Sequence, residues 1–598
     1  MIKLVKDLIA LMTLEQRRSY YLLQVFVVLT ALFEVVSIAA IGPFMAVVGN
    51  LELLEKNNIL RYFYELSGVA TPIDFLVFIG VFVLFFLLIS SIVSILTIWK
   101  LSMFAAKTGA EFGDALYEFY LKNDFLYHST KNSAQLTKQI ATEVNRVTDH
   151  ILQPLVQINA RVVAAAFISI VIFIYNPVIS IAGLLIFVSC YYILFVTVRG
   201  RLLRNGNKIS EVSRNRFKLM NEAFGAIKDV HLLGRDSSFI SQFRVCGEVF
   251  ADAYGSSNGL YNMPRYLMEF IVYGGMISLI LILVKSSGGD LSEVLPMLAV
   301  FGIAIFKLLP SFQQIYGSAA QIKSNVSAFH SIKSDLRSAR EFKSRTTNQD
   351  NKLSITDGAI NLNDLYFRYP NKDLNALDGV DISIPSRSMV GVVGPSGSGK
   401  STLLDIMLGL IFPDNGCMTI DHNKVEPTNV RSWQDMIGYV PQTIFLKDGS
   451  VIDNVAFGLD AEEVDLGKVE NAIKLAQLED WVANQPDGLM TQVGERGVQL
   501  SGGQRQRIGI ARALYNNAEF LFLDEATSAL DGITENLIME AVCSIASLKT
   551  IVIIAHRLNT IKNCDLIYMI KDGKVADQGT YDYLMSNNEY FLKMATGK

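Results

Sequence analysis

Long apolar runs dominate the first half of this chain. Six stretches, about 20–48, 75–99, 151–175, 178–198, 266–284 and 291–316, carry few charges or none. A bilayer core about 30 Å thick is crossed by roughly 20 apolar residues in a helix, so each stretch is long enough to span it. Runs this long and this frequent predict a polytopic α-helical membrane domain with six transmembrane helices. The connections 100–150 and 199–264 keep a helical spacing of apolar positions, which predicts that the membrane helices continue into the aqueous phase. Past residue 328 the pattern changes. A polar segment, 329–352, reads as a linker, and beyond it short β-branched runs alternate with helical periodicity over 353–598, as in an α/β domain. The expected division is therefore 1–328, 329–352 and 353–598.

Composition sharpens this picture once the chain is cut in two. Of 598 residues 51% are hydrophobic and 18% charged, with a net charge of −4; soluble chains carry about 25% charged residues. Residues 1–320 hold 26 Lys+Arg and 22 Asp+Glu, whereas residues 321–598 hold 27 and 35. A disordered chain is excluded, and nothing in the charge favours nucleic acid as a partner. Five cysteines, at 190, 246, 417, 543 and 564 with no CxxC, fit neither a disulfide scaffold nor a thiolate metal site. Positive charge orients the spans. Arg199, Arg201, Arg204, Lys208, Arg214, Arg216 and Lys218 follow the fourth stretch, while the loop after the first has only Lys56 and Arg61. Both termini and the polar domain are therefore expected in the cytoplasm. Lys3, Lys6, Arg17 and Arg18 precede a first stretch too long for a signal peptide, so that span is expected to be retained.

Two motifs in the second half carry chemistry. The short apolar strand Met389–Val393 leads into Gly394-Pro395-Ser396-Gly397-Ser398-Gly399-Lys400-Ser401-Thr402 and an apolar helix, which is the P-loop spacing in its strand, loop and helix context. Such a loop turns backbone N–H groups towards phosphate oxygens, and the helix N-terminus adds positive potential. Lys400 would reach the β and γ phosphates of ATP and Ser401 would ligate Mg²⁺. The run Glu519-Phe-Leu-Phe-Leu-Asp524-Glu525 is a second buried strand ending in two carboxylates. Asp524 would hold Mg²⁺, and Glu525 would orient and deprotonate the attacking water.

Leu500-Ser501-Gly502-Gly503-Gln504, taken with Gln442, Ser528-Ala-Leu-Asp531 and His556, resembles the ATP-binding cassette domain of ABC transporters. Six spans followed by one cassette are similar to exporter-type half-transporters. The resemblance implies that Tyr369 stacks on adenine, that Gln442 joins the Mg²⁺ site and couples it to the membrane part, and that His556 contacts the γ-phosphate. It further implies that Ser501, Gly502, Gly503, Gln504 and Asp531 complete the ATP site of a partner chain. One P-loop and one such segment per chain then make a homodimer the simplest assembly.

The cargo is read from weaker signals. Phe125–Leu136, Glu143-Val-Asn-Arg146 and Gly225–Arg235 resemble bacterial flippases for lipid-linked oligosaccharides, implying an inner-membrane translocase for an anionic, glycan-bearing membrane lipid. Export of drugs or of other lipids is one alternative, and an ATP-gated channel or a membrane-tethered regulatory ATPase is the other. Arg161, Arg265 and Lys307 fall in the inner half of their spans, where a charge is costly facing lipid; they are candidate cavity residues for the anionic head, with snorkelling or pairing to Glu34 and Glu269 as the competing reading. The loop 50–72 reads as an amphipathic outer helix or an inert connection. Pro43, Pro154 and Pro310 are expected to kink their helices.

Overall fold

The computed structural model describes residues 2–49, 58–69, 71–175, 177–286, 294–342, 353, 355–370, 372–494, 497, 500–525, 532–546, 548–555 and 557–596. The chain divides into two compact units, Met1–Asn123 with His128–Arg345 and Asp124–Tyr127 with Thr346–Lys598.

The first unit is a bundle of six main helices, Leu14–Gly49, Pro72–Leu121, Gln153–Tyr175, Pro177–Gly225, Asp236–Ser286 and Val294–Phe342. Each expected span falls on a different helix. Among the described residues four stretches are long and apolar enough to cross a membrane: Leu14–Ile41, Pro72–Leu121, Ser133–Ile174 and Ser180–Gly225. Phe78, Phe82, Phe85, Leu88 and Ile92 are exposed on the second helix, as lipid-facing side chains should be where the solvent is hydrocarbon. Helix contacts use small and hydroxyl residues: Thr30 and Thr97 share a hydrogen bond of 2.7 Å, and a Cβ on Gly206 would collide with the Ser324 carbonyl.

Two π-helical segments, Gln139–Glu143 and Thr148–Leu152, interrupt the turns leading into the third main helix. The second lies just before Pro154, which has no N–H for the His150 carbonyl and crowds it. Beside them is a buried ion cluster. Glu143, 1% exposed, faces Lys138 Nζ at 2.8 Å and Arg146 Nη1 at 2.9 Å. The same Arg146 donates to Ser210 Oγ and Asn325 Oδ1, tying three helices together.

The last helix runs to Phe342, so the segment expected as a linker from 329 is helical over most of its length. The reason is packing: Phe329, Ile332 and Leu336 recur at helical spacing and are fully buried. Residues 343–352 lie outside the described residues. In the loop 50–72, residues 50–57 and 70 are outside them too, while Asn58–Ser67 is a helix with Tyr62, Phe63 and Leu66 exposed.

The second unit is built on two sheets. β1 (Ile360–Phe367), β2 (Leu377–Ile384), β4 (Asn415–Ile420) and β5 (Asn423–Lys424) form an antiparallel sheet in the order β2-β1-β4-β5. The central sheet runs β10-β9-β3-β8-β7-β6, from β3 (Met389–Val393), β6 (Ile437–Val440), β7 (Phe520–Asp524), β8 (Thr550–Ile554), β9 (Leu566–Lys571) and β10 (Lys574–Gly579). Only β10 is antiparallel to its neighbour there. Strand alternation splits the core between the two faces. Leu521, Leu523, Ile551 and Ile553 pack on one side; Phe520, Phe522, Val552 and Ile554 pack on the other around Trp433. In such a sheet ligands bind beyond the carboxyl ends of the strands. The ends of β3 and β7, with β8 between them, therefore set the site.

Candidate functional site

The loop after β3 closes on the helix Lys400–Met407, whose N-cap Gly399 has φ +107°, a left-handed conformation suited to glycine. An added Cβ at Gly399 would stand 2.5 Å from the Ala376 carbonyl. Lys400 folds back over the loop, its Nζ donating to the Gly394 and Pro395 carbonyls at 2.8 and 2.9 Å. Burial pulls its ammonium below the ordinary lysine value, while Glu525 and Asp524 hold it up. Ser398 is 3% exposed, and its hydroxyl has no hydrogen-bond partner among the described residues. A buried donor left over in a Gly-rich loop at a helix N-terminus fits an anionic phosphate.

Asp524 ends β7, and Glu525 follows in a left-handed conformation, φ +48°, sparsely populated for a residue with a Cβ. Its N–H donates to the Ile554 carbonyl at 2.9 Å, which fixes the turn, and its carboxylate Oε2 accepts from Gln442 Nε2 at 2.8 Å. Tyr369 packs edge-on to Phe367 and its hydroxyl lies 3.3 Å from that of Thr402. The fold thus brings Tyr369 to the P-loop helix and Gln442 to Glu525. Ser396, Gly397 and Ser401 lie at the exposed surface of the loop and the helix start.

Ser501 caps the helix Gly502–Tyr515 in a reciprocal capping box: its hydroxyl accepts from the Gln504 N–H at 3.2 Å and its own N–H donates to Gln504 Oε1 at 2.8 Å. That leaves the N–H groups of Gly502 and Gly503 at an uncovered helix start. No hydrogen bond joins this segment to the P-loop among the described residues. His556 and Asp531 lie outside the described residues.

Sequence reasoning passed over Asp405 and Tyr439. Asp405, half-buried on the P-loop helix, is pushed up to about 6 by burial, with Asp524 adding to it. Tyr439 on β6 is pushed up to about 12 by burial and by the same two carboxylates. The only trace of Asp405 in the sequence is one polar residue breaking Leu403-Leu404-Asp405-Ile406-Met407.

In the membrane unit, Arg161 and Arg265 line adjoining clefts that share Gln157 and Gln314. Arg161 Nε donates to Gln314 Oε1 at 2.9 Å, and Gln314 Nε2 to Gln157 Oε1 at 3.0 Å. Arg265 pairs with Glu269 at 2.8 Å. Lys307 is exposed and lines neither cleft.

Comparison with known proteins covers both units. A family model described as ABC transporter matches residues 377–528, and one described as ABC transporter transmembrane region matches 22–308. An ATP-dependent lipid A-core flippase of Cupriavidus pinatubonensis is 40% identical over 238 residues, 40% of each chain. A protein of the same name from Pseudomonas fluorescens is 36% identical over 329 residues, 55% of this chain and 53% of the other. The chain thus spans about half the length of the curated relatives it matches. A bacterial Atm1-family ABC exporter with ATP bound has the same fold: TM-score 0.76 at 22% identity, over 97% of this chain and 98% of that one.

Proposed function

Since this chain is an ABC transporter, with a transmembrane region and an ATP-binding domain on one polypeptide, we propose that it hydrolyses ATP to move a lipid-linked oligosaccharide, or a similar amphipathic lipid, from the cytoplasmic to the outer leaflet of a bacterial inner membrane. The observation that carries the ATPase part is the Gln442–Glu525 hydrogen bond at the end of β7, beside a P-loop with a spare buried hydroxyl. The similarity to lipid A-core flippases supports a lipid cargo, as do the polar groups lining the bundle's clefts.

In this reading Lys400 exchanges the Gly394 and Pro395 carbonyls for phosphate oxygens, and the Ser398 hydroxyl gains its partner. Tyr369 offers a ring face to adenine. Ser401, Asp524 and Gln442 are hard oxygen donors, suited to Mg²⁺, and would hold it. When bound, that ion neutralises phosphate charge. Glu525, aimed by Gln442, takes the proton of the attacking water, and His556 contacts the γ-phosphate. Ser501, Gly502, Gly503, Gln504 and Asp531 meet the ATP held by a partner chain, so the working unit is a homodimer. Both termini and the cassette face the cytoplasm, where the positive charge after the fourth stretch holds them.

Purified protein in liposomes tests the cargo. Flipping of a labelled polyprenyl-pyrophosphate glycan should depend on ATP and exceed that of phospholipids and drugs. Equal activity on all three would sink the glycan assignment, and single-channel current without coupled hydrolysis would replace transport by gating.

A further inference from the structure

The cleft shared by the last four main helices is lined by an unusual density of carboxamides. Gln157, Asn258, Asn262, Gln313, Gln314 and Gln321 border a volume of about 440 Å³, together with Tyr191 and Arg265. Volumes of about 300–1,000 Å³ are typical of small-molecule sites. Two of its groups have no protein partner. Tyr191 is 7% exposed, yet its hydroxyl, like the Gln313 amide nitrogen, makes no hydrogen bond among the described residues. The Tyr191 ring cannot turn away, because it stacks on Phe312 at 6.2 Å and leans on Tyr316 at 5.6 Å between centroids. The Tyr316 hydroxyl, by contrast, has a partner. Pro264 leaves the Leu260 carbonyl without its helical donor, and the Tyr316 hydroxyl supplies one at 3.3 Å.

Phe312, which stacks on Tyr191, and its neighbour Phe187, 5.5 Å away, border a second cavity of about 490 Å³ lined almost wholly by apolar side chains, among them Phe173, Val178, Ile181 and Met276. At 1.5 Å per residue from the outer helix ends, Gln313 and Arg265 lie about 29 and 32 Å deep, while Val178 and Ile181 lie within about 6 Å of an end. The polar cleft is therefore at the inner edge of the hydrocarbon and the apolar cavity runs through it.

We propose that the two cavities form one bipartite lipid site inside a single protomer. The carboxamides, Tyr191 and Gln313 hold a sugar-type headgroup, since each carboxamide offers a donor and an acceptor to vicinal hydroxyls. Arg265 supplies the charge for its phosphate, and the hydrocarbon tail fills the apolar cavity. This deepens, and rests on, the lipid-translocase reading.

The test is binding to the full-length protein in nanodiscs, with polyprenyl-pyrophosphate disaccharide as one probe and polyprenyl pyrophosphate without sugar as the other, read alongside flipping in liposomes. Tyr191→Phe and Gln313→Leu should each weaken disaccharide binding about five-fold, the worth of one hydrogen bond near 1 kcal/mol, and leave the sugar-free lipid and basal ATPase unchanged. Ile181→Trp, which fills the apolar cavity, should weaken both probes. Equal effects of the polar variants on both probes, or none on either, would overturn the site. So would a wild type that does not bind the disaccharide. Binding that follows these rules in a protein that flips neither lipid would keep the site and remove the translocase reading.

Discussion

Ser398 and Tyr191 are in the same chemical position: each is buried, and each has a hydroxyl with no partner among the described residues. They differ in how the chain put them there. Ser398 belongs to nine consecutive residues, Gly394–Thr402, that lead from one strand into the start of one helix. Tyr191 owes its surroundings to helices contributing residues from 157 to 321. A cassette concentrates its polar groups where strands end, so local spacing shapes the site. A membrane bundle assembles them by packing, and spacing along any one helix says only which face a residue is on.

The sharpest way to break the cassette half of this contrast is Glu525→Gln. If Glu525 deprotonates the attacking water, turnover should fall at least 100-fold, while ATP remains bound because the P-loop and Lys400 are untouched. ATPase activity and retained radiolabelled nucleotide measure both, and an unchanged rate would remove Glu525 from the mechanism. Next in size is a test of sharing between chains. Pairing a Lys400→Ala chain with a Ser501→Arg chain should leave one intact ATP site per dimer and abolish the other. A site contained in one chain would instead give none, and ATP turnover per dimer separates the two outcomes.

How much could be read beforehand follows from the same difference. Gly394–Thr402 and Glu519–Glu525 were legible because contiguous residues fold into contiguous geometry. The Gln442–Glu525 contact was reachable only through resemblance, since nothing local links positions 83 residues apart. Six apolar runs fall on six helices, and the continuation of those helices beyond the apolar runs was visible in the periodicity. The helix end at Phe342 was not, because residues 330–342 are largely polar and only three buried side chains carry the packing. Tyr191 and Gln313 gave no signal: a tyrosine and a glutamine in apolar runs look like ordinary interior positions until the helices around them are placed.

A membrane-unit polar cluster need not bind anything, and Glu143 marks that limit. Lys138 and Arg146 converge on its carboxylate, and Ser210 and Asn325 take their remaining donors. Each oxygen of that carboxylate faces a cation at 2.8 or 2.9 Å, whereas the Tyr191 hydroxyl faces no partner among the described residues. Glu143→Ala would leave two buried cations unpaired, a loss of about 3–5 kcal/mol. Its thermal unfolding midpoint in detergent should fall well below that of the wild type with lipid binding unaltered at low temperature. A midpoint within a degree of the wild type would mean that water, not Glu143, solvates the pair.

The smallest effect returns to the cassette and depends on pH. Burial and Asp524 raise the Asp405 carboxyl to about 6, above the roughly 3.9 of an unfolded chain. Between those values the native state binds more protons than the unfolded one, so stability falls as pH rises through this interval, and the full cost is present above about pH 6. Asp405→Asn removes the titration and keeps the shape. The cassette's unfolding midpoint should therefore rise by about 2–4 °C at pH 8 and by little at pH 4. An equal rise at both would trace the gain to packing. A fall at pH 8 alone would give the Asp405 charge a favourable partner and place it, with Asp524, among the groups that hold the nucleotide's cation.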